Sequence, residues 1–182
     1  MCINEVQQIQ ENKKILNNAQ PLWHIILLSI FSLNLYQFYW YYKHFKILKE
    51  FNNKNTNPII RSILLLIPII NCIVIYNFYK QILKFIKSNN INFKPESPTD
   101  WFLAYFSCTI VTFVATLYKW PILDYFHLLN FIPIVALQYL LNKVWKNKEM
   151  NENVRINFNL HEKSIIFIGG FSIVLIVIGK FF

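Results

Sequence analysis

Five long apolar stretches constrain this chain more than any other feature of its sequence. Each is close to the roughly 20 apolar residues that a helix needs to cross about 30 Å of hydrocarbon. They cover residues 22–42, 59–79, 101–117, 122–141 and 164–182. The third and fifth are free of charge over WFLAYFSCTIVTFVATL and SIIFIGGFSIVLIVIG, whereas a soluble amphipathic helix has one polar face. The pattern predicts an all-α fold, a helical integral membrane protein with about five apolar segments.

We predict a single membrane domain over residues 1–182. The first 20 residues are polar and lack the apolar core of a signal peptide, so we expect the first apolar stretch to stay in the mature protein. The parts that follow are two broken helices with basic extensions, a helical hairpin, a loop and a C-terminal transmembrane helix. They cover residues 21–88, 98–146, 147–163 and 164–182.

The positions of the lysines and arginines predict a topology. With Arg61 counted in the loop before it, the segments between stretches hold 2, 5, 4, 1, 5 and 1 positive charges in chain order. If all five stretches cross, the two sides carry 11 and 7 charges; if the first two turn back to the same face, they carry 16 and 2. Positive loops stay cytoplasmic. Both arrangements place the N-terminus inside and the C-terminus outside, and the second gives the stronger bias.

The first two stretches contain residues that interrupt a helix. Asn34 tolerates the left-handed conformation that ends helices, and a helix over 22–33 would be only about 18 Å long. Pro68 removes a hydrogen bond inside the second stretch, and Asn71 follows within one turn. We therefore expect a break in both stretches, which leaves open whether they cross the membrane or re-enter it.

The later stretches carry weaker local signals. Only YKWPI separates the third stretch from the fourth, which predicts an antiparallel hairpin, and Pro133 is expected to kink its second helix. Asn159 and Glu162 are predicted to form a capping box for the last helix. Gly169 and Gly170 would let another helix approach closely, although the oligomeric state stays open.

Two basic stripes follow the breaks and are the most distinctive surface signal. Their lysines recur at spacings of three or four and follow a run of aromatic residues. Tyrosine and tryptophan prefer the headgroup level, and lysines there are attracted by anionic lipid. We expect both segments to lie on the cytoplasmic face of the membrane. The stripes are Lys43, Lys46 and Lys49, and Lys80, Lys84 and Lys87.

Polar residues inside the apolar stretches are the other candidates, because such groups are costly in a membrane. Asp124 and His127 share one face near the start of the fourth stretch, where Asp124 also suits the helix dipole. Asn130 and Gln138 follow in the same stretch. They form either interhelical hydrogen bonds or, in the alternative function, the polar face of a small transporter or channel.

The segment LLSIFSLNLYQFYWYYK, residues 27–43, resembles an uncharacterised family of small bacterial multi-pass membrane proteins with the pattern LSIxTxGxYxxYWxYK. Ser32 stands where that pattern has threonine, and Asn34 where it has glycine. Later pattern positions are matched by Pro58, Arg61, Pro121, Pro133, Gln138 and Asn142. The resemblance implies a multi-pass architecture in a bacterial cytoplasmic membrane, and no activity.

The sequence favours a non-enzymatic membrane module that recognises anionic lipid or a partner membrane protein. The net charge of +9 is not taken as a nucleic-acid signal, because lysine and asparagine are abundant throughout this composition. We find no nucleophile motif, no phosphate-binding glycine loop and no metal-ligand spacing in the sequence. We therefore expect no catalytic residues, no cofactor and no metal.

Overall fold

A computed structural model describes residues 19–32, 35–52, 56–117, 131–148, 158 and 160–181. These residues form seven α-helices and no strand, which confirms the all-α fold. The helices are α1 (Leu22–Phe31), α2 (Tyr36–Asn52), α3 (Pro58–Leu64), α4 (Pro68–Ser88), α5 (Pro98–Leu117), α6 (Ile132–Lys148) and α7 (Leu160–Phe181).

The first apolar stretch is broken, as predicted, and the chain turns back at the break. The Tyr36 hydroxyl donates to Gln20 Oε1 at 2.9 Å. A continuous helix would separate these two residues by about 24 Å along its axis, beyond the reach of their side chains. At the break, Ser32 Oγ accepts a hydrogen bond from the Tyr36 amide at 2.8 Å and so satisfies a free N–H at the start of α2. Asn34, the predicted terminator, lies outside the described residues.

The second stretch is also broken at the predicted place, between α3 and α4. Pro68 is the first residue of α4, where its missing N–H costs nothing. The break leaves the Leu65 carbonyl without a helical partner, and Asn71 Nδ2 donates to it at 2.7 Å. Arg61 lies over the Phe45 ring at 5.8 Å, so α3 runs back along α2.

Ring contacts fix the relative directions of the long helices. Phe45 lies 5.3 Å from Phe78, and Phe51 lies 5.1 Å from Phe85, so α2 and α4 run in the same direction. Phe85 also lies 5.5 Å from Trp145 near the end of α6. The C-terminal ends of α2, α4 and α6 therefore meet at one end of the molecule.

An aromatic cluster between α2 and α4 forms the centre of the core. The Phe78 ring is fully buried and makes edge-on contacts with four rings, at centroid distances of 5.1 to 5.8 Å. Such geometry stabilises a pair beyond the area it buries. The four partners are Trp40, Tyr41, Phe45 and Tyr79.

The glycine pair of α7 packs inside the same chain, against the end of α1. A Cβ atom added to Gly169 would overlap the backbone carbonyl of Phe31. One added to Gly170 would make an ordinary 3.8 Å contact with the Phe31 ring. The close helix approach predicted from these glycines is therefore present. Gly169 allows it, and the approaching helix is α1 of the same chain.

Among the described residues, α4 is the one helix that is both long and apolar enough to cross a membrane. A buried core helix of a soluble protein can meet the same criterion, so membrane insertion stays a prediction at this point. Pro133 is the second residue of α6, and residues 118–130, including the expected hairpin tip, lie outside the described part of the chain.

Candidate functional site

The outward face of α4 changes from apolar to basic along its length. Ile69 and Ile73 are 81% and 60% exposed in the first half of the helix. Lys80, Lys84 and Lys87 are exposed in the second half. The opposite side of α4 is buried throughout its second half, so the change concerns only the surface that faces outward.

The outward face of the neighbouring helix α5 changes at the same level, but from polar to apolar along the chain. Thr99 and Asp100 are exposed at its start, and apolar Leu103 is 53% exposed one turn later. The rings of Tyr76 and Phe102 are 5.8 Å apart and mark this level on both helices. A shared boundary between apolar and charged surface is typical of helices that leave a lipid layer.

Lysines from three helices gather at the end where Phe51, Phe85 and Trp145 meet. We call this surface the basic end. Of the predicted stripes, Lys46, Lys80, Lys84 and Lys87 are exposed, whereas Lys43 and Lys49 are half-buried. Exposed lysines from α6 join them: these are Lys143 and Lys146.

The predicted stripes do not include α6, because Lys143 and Lys146 follow the fourth apolar stretch and count there only as loop charge. Their spacing of three residues on an apolar helix was the available signal. The stripe on α2 is also less uniform than predicted, since Lys43 and Lys49 are partly covered by the protein while Lys46 is exposed.

One lysine of the α4 stripe is paired. Lys87 Nζ lies 2.8 Å from Glu96 Oε2, and this ammonium lowers the pKa of the Glu96 carboxyl. Lys80 and Lys84 have no ion-pair partner within the described part of the chain. The unopposed positive charge of α4 therefore lies at Lys80 and Lys84, nearest to the apolar boundary.

A buried hydrogen-bond network lies inside the molecule and links α2 to α6. Gln138 is fully buried. Its Oε1 accepts from Trp40 Nε1 at 2.8 Å, and its Nε2 donates to Asn142 Oδ1 at 2.8 Å. Asn142 Oδ1 in turn accepts from the backbone N–H of Gln20 at 3.2 Å, and Asn142 Nδ2 donates to the backbone carbonyl of Gln20 at 2.7 Å.

The same network continues to α7 through the Gln20 side chain. Its Nε2 donates to Glu162 Oε1 at 3.2 Å, and its Oε1 accepts from the Tyr36 hydroxyl. Glu162 is buried in the first turn of α7. The sequence predicted a capping role with Asn159, which lies outside the described residues. The hydrogen bond between Gln20 and Glu162 had no local signal in the sequence.

The polar residues predicted within the membrane have different outcomes. Asp124, His127 and Asn130 lie outside the described residues. Gln138 is in the network, and both ends of its amide are bonded within the protein. This arrangement favours interhelical packing over a solute route at that residue.

His44 is a buried titratable group beside the network. Its Nδ1 lies 2.7 Å from the Trp40 carbonyl and its ring 3.9 Å from the Trp40 ring. Burial, with a smaller contribution from Lys43, lowers the His44 pKa to about 3. The imidazole is therefore neutral at physiological pH. No group of three or more metal-binding side chains occurs among the described residues.

One known family model matches the part of the chain that contains the first two apolar stretches. Residues 20–85 match the family model described as Domain of unknown function (DUF4234). The match agrees with the resemblance to an uncharacterised family, and the matched residues comprise α1 to α3 and most of α4. No curated protein and no solved structure matches the chain.

The buried polar network joins the segment that matches DUF4234 to residues outside the match. Gln20, Tyr36 and Trp40 belong to the matched segment, whereas Gln138, Asn142 and Glu162 come from α6 and α7. The later helices thus supply half of the buried network and pack against the matched segment.

Proposed function

We propose that the protein is a non-enzymatic membrane module whose basic end lies against anionic lipid at the cytoplasmic face of a bacterial membrane. The observation that carries the proposal is the change on α4 from exposed Ile69 and Ile73 to exposed Lys80 and Lys84. In water, an apolar outward surface of this kind would be unfavourable. In a bilayer, it contacts lipid tails and the lysines reach the headgroups.

The apolar surface extends beyond α4. Highly exposed apolar side chains occur on α3, α5 and α7, and all of them except Leu160 belong to the stretches that the sequence predicts to enter the membrane. Examples are Ile59, Ile63, Leu103, Phe113, Phe167 and Phe171, each more than half exposed. A lipid layer around these helices explains why they are not covered by protein.

Helix lengths and directions support a topology in which the first two stretches return to the face they entered. The helices α1 and α3 have 10 and 7 residues, or about 15 and 10 Å, well short of the hydrocarbon thickness. The chain then turns back into α2 and α4, which both lead to the basic end. This topology places the N-terminus inside, the C-terminus outside and the larger number of positive charges in the cytoplasm.

Each lysine near an anionic surface contributes about 1 kcal/mol of attraction. Removal of two should therefore lower the preference for anionic lipid by about 2 kcal/mol, or roughly 30-fold. The test uses the double variant Lys80→Gln/Lys84→Gln in vesicles. The readout is energy transfer from the protein tryptophans to pyrene-labelled phosphatidylglycerol or phosphatidylcholine.

The control double variant, Lys119→Gln/Lys180→Gln, removes the same charge from positions predicted to lie outside. We expect the parent and the control to enrich phosphatidylglycerol and the α4 variant to lose the enrichment. Equal enrichment in all three proteins would refute lipid recognition by the basic end. In that case, a partner membrane protein would be the better explanation for these lysines.

A further inference from the structure

A groove opens where the chain turns between α1 and α2, against one face of α7. Its volume is about 230 Å³. Phe31, Leu35 and Tyr39 line one side, and Ile165 and Ile168 line the other. Gly169 also lines the groove, close to Phe31 at the end of α1. The groove is thus a product of the break, because a continuous helix would leave no gap here.

The groove is apolar and opens onto the surface assigned above to lipid. Leu35 and Ile168 at its edges are 69% and 64% exposed, and Phe171 one turn further along α7 is 61% exposed. The groove therefore continues the outward apolar surface into the protein. A volume of 230 Å³ is too small for a helix, whose diameter is about 10 Å, but it suits a narrow flexible chain.

Beyond Tyr39, the last residue of α2 that lines the groove, the same face of the helix becomes basic. Leu35, Tyr39 and Lys43 follow one another at intervals of four residues, so they share one face at steps of about 6 Å. Tyr39 and Lys43 are both partly exposed on this face. The face thus presents an apolar wall, then a phenol hydroxyl, then an ammonium group.

We propose that this groove binds an acyl chain of an anionic phospholipid, with the lipid phosphate at Lys43. The order of groups on α2 matches the order of parts in such a lipid: hydrocarbon, the polar ester region and the phosphate. Lysine binds phosphate as a point charge, and its stem can run along apolar surface toward the headgroup level. The proposal rests on the proposed membrane location and adds one specific site to a general basic surface.

The test uses phosphatidylglycerol with a photoactivatable diazirine in the middle of one acyl chain, in nanodiscs that hold the full-length protein. After irradiation, mass spectrometry locates the labelled peptides. We expect labelling to concentrate on the peptides that contain Leu35 and Ile168. The variant Ile168→Trp fills the groove and should reduce labelling near Leu35 about tenfold, comparable to the loss of 1.4 kcal/mol of affinity.

Matched controls separate the groove from the surrounding surface and the phosphate site from general charge. Phe167→Trp adds the same side chain to a highly exposed neighbour outside the groove and should leave labelling near Leu35 unchanged. Lys43→Gln should reduce labelling by the phosphatidylglycerol probe about fivefold, as expected for one lost lysine. Lys119→Gln, which removes the same charge from a position predicted to lie outside, should not change labelling in the groove.

Each outcome decides the proposal. Labels spread evenly over the outward faces of α4, α5 and α7 would overturn the groove and leave the membrane location intact. Absence of labels from all of these faces would overturn both the groove and the proposed function. Equal labelling by an otherwise identical phosphatidylcholine probe would overturn the preference for an anionic phospholipid, and unchanged labelling in Lys43→Gln would overturn the phosphate site at Lys43. A crosslinked second copy of the chain at Ile168 would overturn the lipid as occupant.

Discussion

A single methyl group at residue 169 should disrupt the contact between α1 and α7. The Cβ atom of Gly169→Ala would overlap the carbonyl carbon and oxygen of Phe31 and lie 3.2 Å from its Cα atom. These are backbone atoms, so no side-chain rotation can relieve the overlap. The two helices must move apart. At Gly170, the added Cβ atom would instead lie 3.8 Å from the Phe31 ring, which is an ordinary contact distance.

The two substitutions form a controlled pair. Both replace a helical glycine by alanine, which by itself favours the helix by about 1 kcal/mol. This gain cancels in the comparison, and the remaining difference is the cost of overpacking, about 1–3 kcal/mol. For a chain of 182 residues, each kcal/mol shifts Tm by about 2–4 °C. Gly169→Ala should therefore melt about 2–12 °C below Gly170→Ala.

The assay is thermal unfolding of the purified protein in one detergent, followed by tryptophan fluorescence. Gly170→Ala should melt at or slightly above the parent temperature. The companion variant Phe31→Ala should fail to rescue Gly169→Ala, because the overlapping atoms belong to the backbone. Equal melting temperatures for the two glycine variants would refute the packing of α1 against α7, and rescue by Phe31→Ala would show that a side chain, not the backbone, causes the clash.

Three further predictions concern the network, the buried histidine and the topology. Gln138→Leu leaves the buried Trp40 Nε1–H without its partner and should cost about 1–3 kcal/mol of unfolding free energy; an unchanged denaturation midpoint would exclude the network as a stabilising element. The lowered pKa of His44 means that the unfolded chain takes up a proton below about pH 6.5 while the folded protein does so only near pH 3. Stability should then fall by about 2 kcal/mol from pH 6.5 to 5, and His44→Leu should remove that part of the acid sensitivity. In a cysteine-free background, Asn53→Cys should resist a membrane-impermeant maleimide in intact cells while Lys119→Cys reacts, and rapid labelling at Asn53 would show that the first two stretches cross the membrane.

The apolar pattern and the helix-breaking residues were sufficient to predict the all-α fold and the second break. Proline has no N–H to donate inside a helix, so Pro68 favours the start of a new helix whatever the tertiary packing around it. The first break also lies where the sequence predicts it. The side chain that accepts a hydrogen bond from the start of α2 there is Ser32, which presents the same hydroxyl as the threonine of the family pattern. These features depend on neighbouring residues and are therefore visible in the sequence.

The buried network could be predicted only in part. Four of its residues occupy positions of the family pattern: Tyr36, Trp40, Gln138 and Asn142. The pattern singled them out but did not predict their hydrogen-bond partners. Gln20 and Glu162 carried no such mark, because the hydrogen bond between them joins residues 142 positions apart. A contact of that range depends on how α1, α6 and α7 pack and leaves no local periodicity.

The sequence by itself determined the helical class, the two broken stretches and the spacing of the lysines on α2 and α4, because all three follow from the chemistry of residues within a few turns of one another. The tertiary structure decided which of those lysines face outward, that Lys143 and Lys146 join them, and that Gly169 packs against Phe31. Side-chain exposure is set by what lies on the other side of each helix. The physical reason is that parallel packing of α2, α4 and α6 brings three chain-distant ends together, and no single segment contains that information.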